Sequence, residues 1–265
     1  MRFSECLQQI AESARSKRLS LWVGAGISKD PPATLPLANE LKFYILEKIC
    51  DRAELRQLYE DRLQQDKDIG ALIRDYPLEA LTEVIFSNDN QIIDRIAEVF
   101  RGGTPNKNHV FIARLIQEGL VQEVLTTNFD LLIEEALKCI STLDKVRVYC
   151  DEEDFLKIDF AVRAPSIFKI HGTADDEESM RFTRDMVACR TLSESRAKIL
   201  EHFLASEEGD VLVLGYSARD DFDINPILST MTSKKRIFHI DHEPNQRIIR
   251  QLPETFRNFR GYRIS

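Results

Sequence analysis

Long apolar runs, paired cysteines and surplus positive charge are all missing from this sequence. No run of about 18 apolar residues exists, and a helix needs roughly that length to cross a bilayer. The stretch from Met1 to Leu19 is charged and helical in pattern, without the apolar centre of a secretory signal peptide. The five cysteines, Cys6, Cys50, Cys139, Cys150 and Cys189, are scattered and form no Cys-x-x-Cys pair. They read as reduced thiols, so neither a disulfide framework nor a zinc module is expected. Lys and Arg number 36 against 44 Asp and Glu, a formal net charge of -8. A stand-alone nucleic-acid binder needs the opposite balance, so no direct nucleic-acid binding is expected. These absences together predict a cytoplasmic protein without a membrane segment.

What is present suits a packed α/β chain. Hydrophobic residues make up 43% and charged residues 30% of 265, enough apolar surface for one large domain. The predicted helix at Phe3 to Arg18 carries Leu7, Ile10 and Ala14 near helical spacing. Leu21-Trp22-Val23 is a short apolar strand that runs into Gly24-Ala25-Gly26-Ile27-Ser28. After a proline-fixed loop, helical pattern resumes at Leu37 and runs to about Cys50. The residues from about 51 to 104 read as a helical insert with charged faces. From Asn106 onward helices alternate with strands at Val121 to Thr126, Val146 to Tyr149, Ser166 to Ile170, Asp210 to Leu214 and Arg236 to Ile240. A last helix is predicted over Pro244 to Leu252. Short, almost wholly apolar strands between helices imply a parallel sheet covered on both faces. The expected fold is α/β, a Rossmann-like doubly wound parallel sheet with a helical insert and no zinc module, forming a single domain over 1–265.

In such a sheet ligands bind beyond the carboxyl ends of the strands, and five predicted strands end in glycine-rich or polar residues. Gly24-Ala25-Gly26 offers bare backbone to a pyrophosphate, or simply makes a tight turn. Asp241 and Glu243 can accept hydrogen bonds from ribose hydroxyls, or form a solvated turn. Gly215, Tyr216 and Ser217 carry the same two readings, Ser217 as a phosphate ligand or a cap. Asn128, after Thr126-Thr127, and His171, before Gly172, are the reactive candidates, because histidine takes a proton near neutral pH. His109 is placed on the exposed start of a helix with a structural role, and no chemical use is assigned to His202 or His239.

Several of these segments resemble the sirtuin superfamily. Gly24-Ala25-Gly26-Ile27-Ser28 resembles its nucleotide loop. Pro105-Asn106-x-x-His109, Gly119-Leu120-Val121 and Val124-Leu125-Thr126-Thr127-Asn128-Phe129-Asp130 look like one long sirtuin block. Ile170-His171-Gly172 resembles the catalytic His-Gly, Gly215-Tyr216-Ser217 stands where sirtuins have Gly-Thr-Ser, and Ile240-Asp241-His242-Glu243-Pro244 is similar to the adenosine-side segment. The sequence departs from protein deacylases at Lys29-Asp30-Pro31-Pro32, where those carry an arginine, and in having no zinc-binding cysteine pairs. This combination is similar to sirtuin-like domains of bacterial anti-phage defence systems.

The resemblance implies an NAD+ glycohydrolase, releasing nicotinamide and ADP-ribose, that depletes the cell's NAD in abortive infection. It makes Asn128 and His171 the catalytic pair, with Asp130 supporting them. Gly24, Ala25, Gly26, Ser28, Gly215, Tyr216, Ser217, Asp241 and Glu243 would contact NAD+, which is substrate; no cofactor and no metal are required. An enzyme of that kind needs restraint, so a homo-oligomer or a partner such as a hexameric ATPase or an Argonaute-type sensor is expected, with the insert as the meeting surface. The alternative is a non-catalytic module sensing NAD or ADP-ribose within a larger complex.

Overall fold

The structure, a computed structural model, describes residues 2–45, 92–162, 164–180, 193–205, 209–218, 224–233, 235–241 and 249–265. Eight strands form one sheet: β1 (Leu19–Val23), β2 (Val121–Thr126), β3 (Arg147–Tyr149), β4 (Ser166–Lys169), β5 (Asp210–Leu214), β6 (Arg236–Ile240), β7 (Ile249–Arg250) and β8 (Arg260–Ile264). Their order across the sheet is β3-β4-β2-β1-β5-β6-β8-β7. Neighbours are parallel throughout, except that β7 runs antiparallel to β8 at the edge. The chain therefore winds outward from β1 to one side and then returns to place β5 on the other. That reversal is the switch point at which doubly wound sheets open a crevice.

Period-two alternation sends neighbouring residues of each strand to opposite faces, and both faces are buried. Trp22, Leu125, Phe168, Val211, Val213 and Ile237 pack on one side. Leu21, Val23, Val124, Ile167, Leu212 and Phe238 pack on the other. The first face is covered by α7 (Glu194–Ala205) and α8 (Ile224–Thr230), the second by α1 (Phe3–Arg15), α4 (Lys107–Gln117) and α5 (Leu132–Cys139). In α1 the buried stripe runs through Cys6 and Ala14, whereas Leu7 is 48% exposed, one position off the face its spacing suggests. The end of α4 follows its sequence closely. Gly119 has φ +65 and donates to Ile116 O, and Leu120 N–H reaches Leu115 O, a left-handed glycine closing the helix.

A third apolar cluster lies over the carboxyl edge of the sheet. Here α2 (Ala38–Tyr44) and α3 (Ile92–Arg101) bring Leu41, Ile96 and Phe100 against Phe129, Leu132 and Met180. Of the expected insert, α3 falls among the described residues; 51–91 lie outside them. A short sixth helix, α6 (Glu152–Leu156), follows β3.

One expectation is corrected at the C-terminus, and one strand is added there. Of the helix predicted over Pro244 to Leu252, Ile249–Arg250 is instead β7, paired with Arg263 and Ile264 of β8, while 242–248 lie outside the described residues. Strand β8 itself was not anticipated. Its Arg-Gly-Tyr-Arg-Ile run has no apolar stretch to signal a strand, and only pairing with β6 reveals it. Gly261 makes that pairing possible: at φ +151, a Cβ there would lie 1.9 Å from Ile237 O. Gly261→Ala is therefore expected to destabilise the protein by about 3 kcal/mol or more, the range of severe backbone clashes. Chemical denaturation checks this, and a loss below about 1 kcal/mol would mean that β8 is not held against β6 as described.

Candidate active site at the carboxyl edge of the sheet

Register sets the heights of the candidate residues. Thr126 pairs with Lys169, so Asn128 and His171, each two residues farther on, leave adjacent strands β2 and β4 at one level. Ladder bonds continue past the strand ends, from Ile170 N to Thr126 O at 3.1 Å and from Thr127 N to Val23 O at 3.2 Å. On the other side of β1, Val23 pairs with Leu214, which brings Gly24-Ala25-Gly26 alongside Gly215 and Tyr216.

The two loops touch backbone to backbone. A Cβ on Gly24 would lie 2.6 Å from Tyr216 Cα, and one on Gly26 would lie 2.8 Å from Gly215 Cα. Gly24 N–H donates to Leu214 O and Gly26 N–H to Gly215 O. The Gly24 and Gly26 amides of the predicted pyrophosphate loop are thus used between the two loops, and these glycines serve loop packing. Tyr216 stacks its ring on Trp22 in the core, centroids 4.9 Å apart, whereas Ser217 and Gly215 are exposed at the crevice. Asp241 continues β6, and its carboxylate is ion-paired with Arg263. Glu243 lies outside the described residues.

Ser28, at the end of the 3-10 turn Ala25–Ser28, is the meeting point of a buried polar network. Its hydroxyl donates to Asp130 Oδ2 at 2.9 Å and lies 3.1 Å from His109 Nε2. Asn128 Nδ2 approaches Ser28 Oγ at 3.4 Å and Asp130 Oδ2 at 3.2 Å. The other Asp130 oxygen accepts from Leu132 N, at the first residue of α5, at 3.1 Å. With the serine proton committed to Asp130, His109 Nε2 must be the donor to Ser28. The opposite ring nitrogen agrees: Nδ1 accepts from Asn106 N–H at 3.1 Å. His109 is accordingly a neutral imidazole of one defined tautomer, and burial pushes its pKa down to about 4.

His109 is fully buried, which corrects its expected place on an exposed helix start. The available signal was the spacing Asn106-x-x-His109. Asn106 caps α4, and a side chain three residues on reaches back to the capping residue's own N–H.

Asn128 is oriented by the same network. Its amide nitrogen faces two oxygens, an arrangement the flipped amide would turn into repulsion. The carboxamide oxygen Oδ1 consequently faces away, buried and without a hydrogen-bond partner among the described residues. An acceptor left so costs about 1–3 kcal/mol, which a donor on a bound molecule would recover. His171 is 8% exposed, with its ring stacked on Phe129 at 6.2 Å. Gly172 has φ +90, and a Cβ there would strike Ser179 O at 2.2 Å, so the turn after His171 requires glycine.

Two buried cations support this edge, and sequence reasoning singled out neither. Lys169 Nζ donates to Asp130 O at 2.6 Å and to Glu134 Oε1 at 2.8 Å. Burial pushes the Asp130 pKa up, and the Lys169 charge opposes that shift. Arg196, 1% exposed, donates to Ile170 O, next to His171, and to Ser179 O, and pairs with Glu152 at 3.2 Å.

A cleft of about 510 Å³ lies elsewhere, at the amino edge of the sheet. Of the five cysteines, Cys6, Cys139 and Cys150 are free thiols among the described residues. Cys150 forms a compact group with Asp151 and Asp154, but burial pushes its thiol pKa up to about 11, and Asp151 is committed to capping α6. No helix among the described residues is long and apolar enough to cross a membrane.

A family model described as the SIR2-like domain matches residues 122–254, half of the chain, from β2 past β7. Two solved structures align over most of both chains. One, reported under the structural basis for the mechanism and regulation of Sir2 enzymes, is 14% identical and covers 89% of this chain and 87% of its own, with a TM-score of 0.37. The other, Sir2Tm bound to a propionylated peptide, is 15% identical and covers 92% and 87%, with a TM-score of 0.34. Superpositions that loose carry no argument about chemistry. No curated protein matches the chain.

Two stability predictions follow from the network. An unfolded His109 binds a proton below about 6.5, whereas the folded one stays neutral to about 4. Its contribution is therefore complete above pH 6.5 and is lost as pH falls toward 4, at up to about 1.4 kcal/mol per pH unit. His239, also lowered by burial, acts in the same direction. Urea titrations across pH 4–7 should show a shallower slope in His109→Gln than in the wild type; equal slopes would contradict the neutral assignment. Lys169→Met leaves Glu134 buried without its partner and should cost about 3–5 kcal/mol. Part should return in the Lys169→Met, Glu134→Leu double variant, measured by the same titration.

Proposed function

The chain belongs to the SIR2-like domain family, and on that premise we propose that it is an NAD+ glycohydrolase. The observation that carries this reading is the partnerless buried oxygen of Asn128, standing level with His171 at the carboxyl edge of β2 and β4. An acceptor beside a base, where a doubly wound sheet binds nucleotides, is what cleavage of a ribosyl bond calls for.

The reaction is a displacement at ribose C1′. The bond from C1′ to the pyridinium nitrogen breaks, and its electron pair neutralises nicotinamide as it leaves. Water forms the new bond to C1′, and its proton passes to His171 and on to solvent. Asn128 Oδ1 accepts a hydrogen bond from a ribose hydroxyl or from the water and so fixes the geometry of attack. Asp130 and Ser28 hold the Asn128 amide in place. Neutral His109 completes that hold without adding a positive charge that would oppose the cationic sugar. Gly215 and Ser217, exposed, flank the phosphates in this reading, with Asp241 toward the adenosine ribose.

An enzyme that consumes cellular NAD must be kept inactive until needed. The proposal therefore includes a role as an NAD-depleting effector of anti-phage defence in the cytoplasm, released by a partner or by self-assembly. The family resemblance supports this context, and the packing of α3 on Phe129 offers a route from the insert to the site.

Incubation of the purified protein with NAD+, following nicotinamide and ADP-ribose, tests the activity. Release is expected in the wild type, with Asn128→Ala and His171→Ala each slower by about 10²–10⁴-fold, the usual worth of a positioned acid–base group. A wild type that binds NAD+ without turnover would be a sensing module instead, and absence of NAD+ binding would refute both readings.

A further inference from the structure

The strand register brings Asp210, Arg236 and Arg260 into lateral alignment on β5, β6 and β8, at the edge of the sheet opposite the candidate active site. Two arginines side by side on neighbouring strands repel one another unless an anion intervenes. Asp210 answers only one of them. It holds Arg236 through both carboxylate oxygens at 2.8 Å, and Gln9 Oε1 takes a third N–H at 3.0 Å. Among the described residues no carboxylate pairs with Arg260.

Arg236 is held from behind by a carboxylate that is 4% exposed, yet its own side chain is 42% exposed. A guanidinium has five N–H donors, so three bonds to Asp210 and Gln9 leave two uncommitted on a half-exposed side chain. Arg18, Arg260 and Tyr262 line the same cleft of about 510 Å³. Its charged lining is Arg18, Arg236 and Arg260 against Glu12 and Asp210, a net of +1 on a chain of -8. The main chain fixes these segments to one another. Asp210 N donates to Arg18 O at 3.0 Å, and Gly209 has φ +123 where a Cβ would lie 2.5 Å from Arg18 O.

We propose that this cleft is a binding site for a small phosphate-bearing anion, separate from the carboxyl-edge site. A guanidinium anchored by Asp210, beside an arginine with no carboxylate partner among the described residues, matches the oxygens of a phosphate group. The volume lies within the range of small-molecule sites, roughly 300–1,000 Å³. A polyanion would instead have to approach a chain of net negative charge.

Calorimetric titration with inorganic pyrophosphate in low-salt chloride buffer tests the proposal on the wild type, Arg260→Gln and His171→Ala. Saturable binding is expected in the wild type, weakened at least about tenfold by Arg260→Gln and unchanged by His171→Ala. Arg260 is exposed, so the variant should fold; circular dichroism checks this, and nicotinamide release should be unaffected by it. No saturable binding in the wild type would overturn the proposal. Binding that survives Arg260→Gln but falls with His171→Ala would do so too, by placing the anion at the carboxyl edge. Because pyrophosphate binding is read without turnover, either failure leaves the glycohydrolase reading to its own test.

Discussion

A carboxylate can be buried only where donors replace the water it leaves, and Asp130 is such a group. Three donors reach it: the Ser28 hydroxyl, the Asn128 amide and the Leu132 backbone N–H. They come from the loop after β1 and from the β2–α5 turn, and the Lys169 charge arrives from β4. Meeting this requirement joins three strand ends and orients Asn128 as a consequence. Even the tautomer of His109, on a different helix, follows from which way the Ser28 proton points.

The sheet supplies a second constraint, the contact between the loops that follow β1 and β5. Glycine at 24, 26 and 215 lets those backbones approach within distances a Cβ would forbid. The approach draws the carboxyl ends of β1 and β5 together at the switch point, and it uses amides that a nucleotide-binding reading would assign to phosphate. The glycines therefore contribute to the site by shaping its wall. On the far side, Gly172 and the buried Arg196 do the corresponding work for the His171 turn.

The two edges of one parallel sheet carry different chemistry. A buried polar network with its charges internally paired gathers at the carboxyl edge around Asn128, and half-exposed arginines in lateral register line a cleft at the amino edge. Both follow from register, because parallel pairing places strand starts beside strand starts and strand ends beside strand ends. The third apolar cluster closes over the first edge only, linking Phe100 of α3 to Phe129 and so to His171.

Much of this was legible in the amino acids themselves. Short apolar strands between amphipathic helices specify a doubly wound sheet, because only cover on both faces buries such strands. Polar residues just after the strands marked Asn128 and His171, and Gly119 marked the end of α4, since each rests on a local pattern. Strand β8 was invisible for the same reason: Arg260 to Ile264 has no apolar run and becomes a strand only through its partner. Spacing alone could not show that Tyr216 turns into the core or that Arg263 pairs with Asp241. Those outcomes depend on groups far apart in the chain, and burial and pairing exist only once the tertiary structure has brought them together.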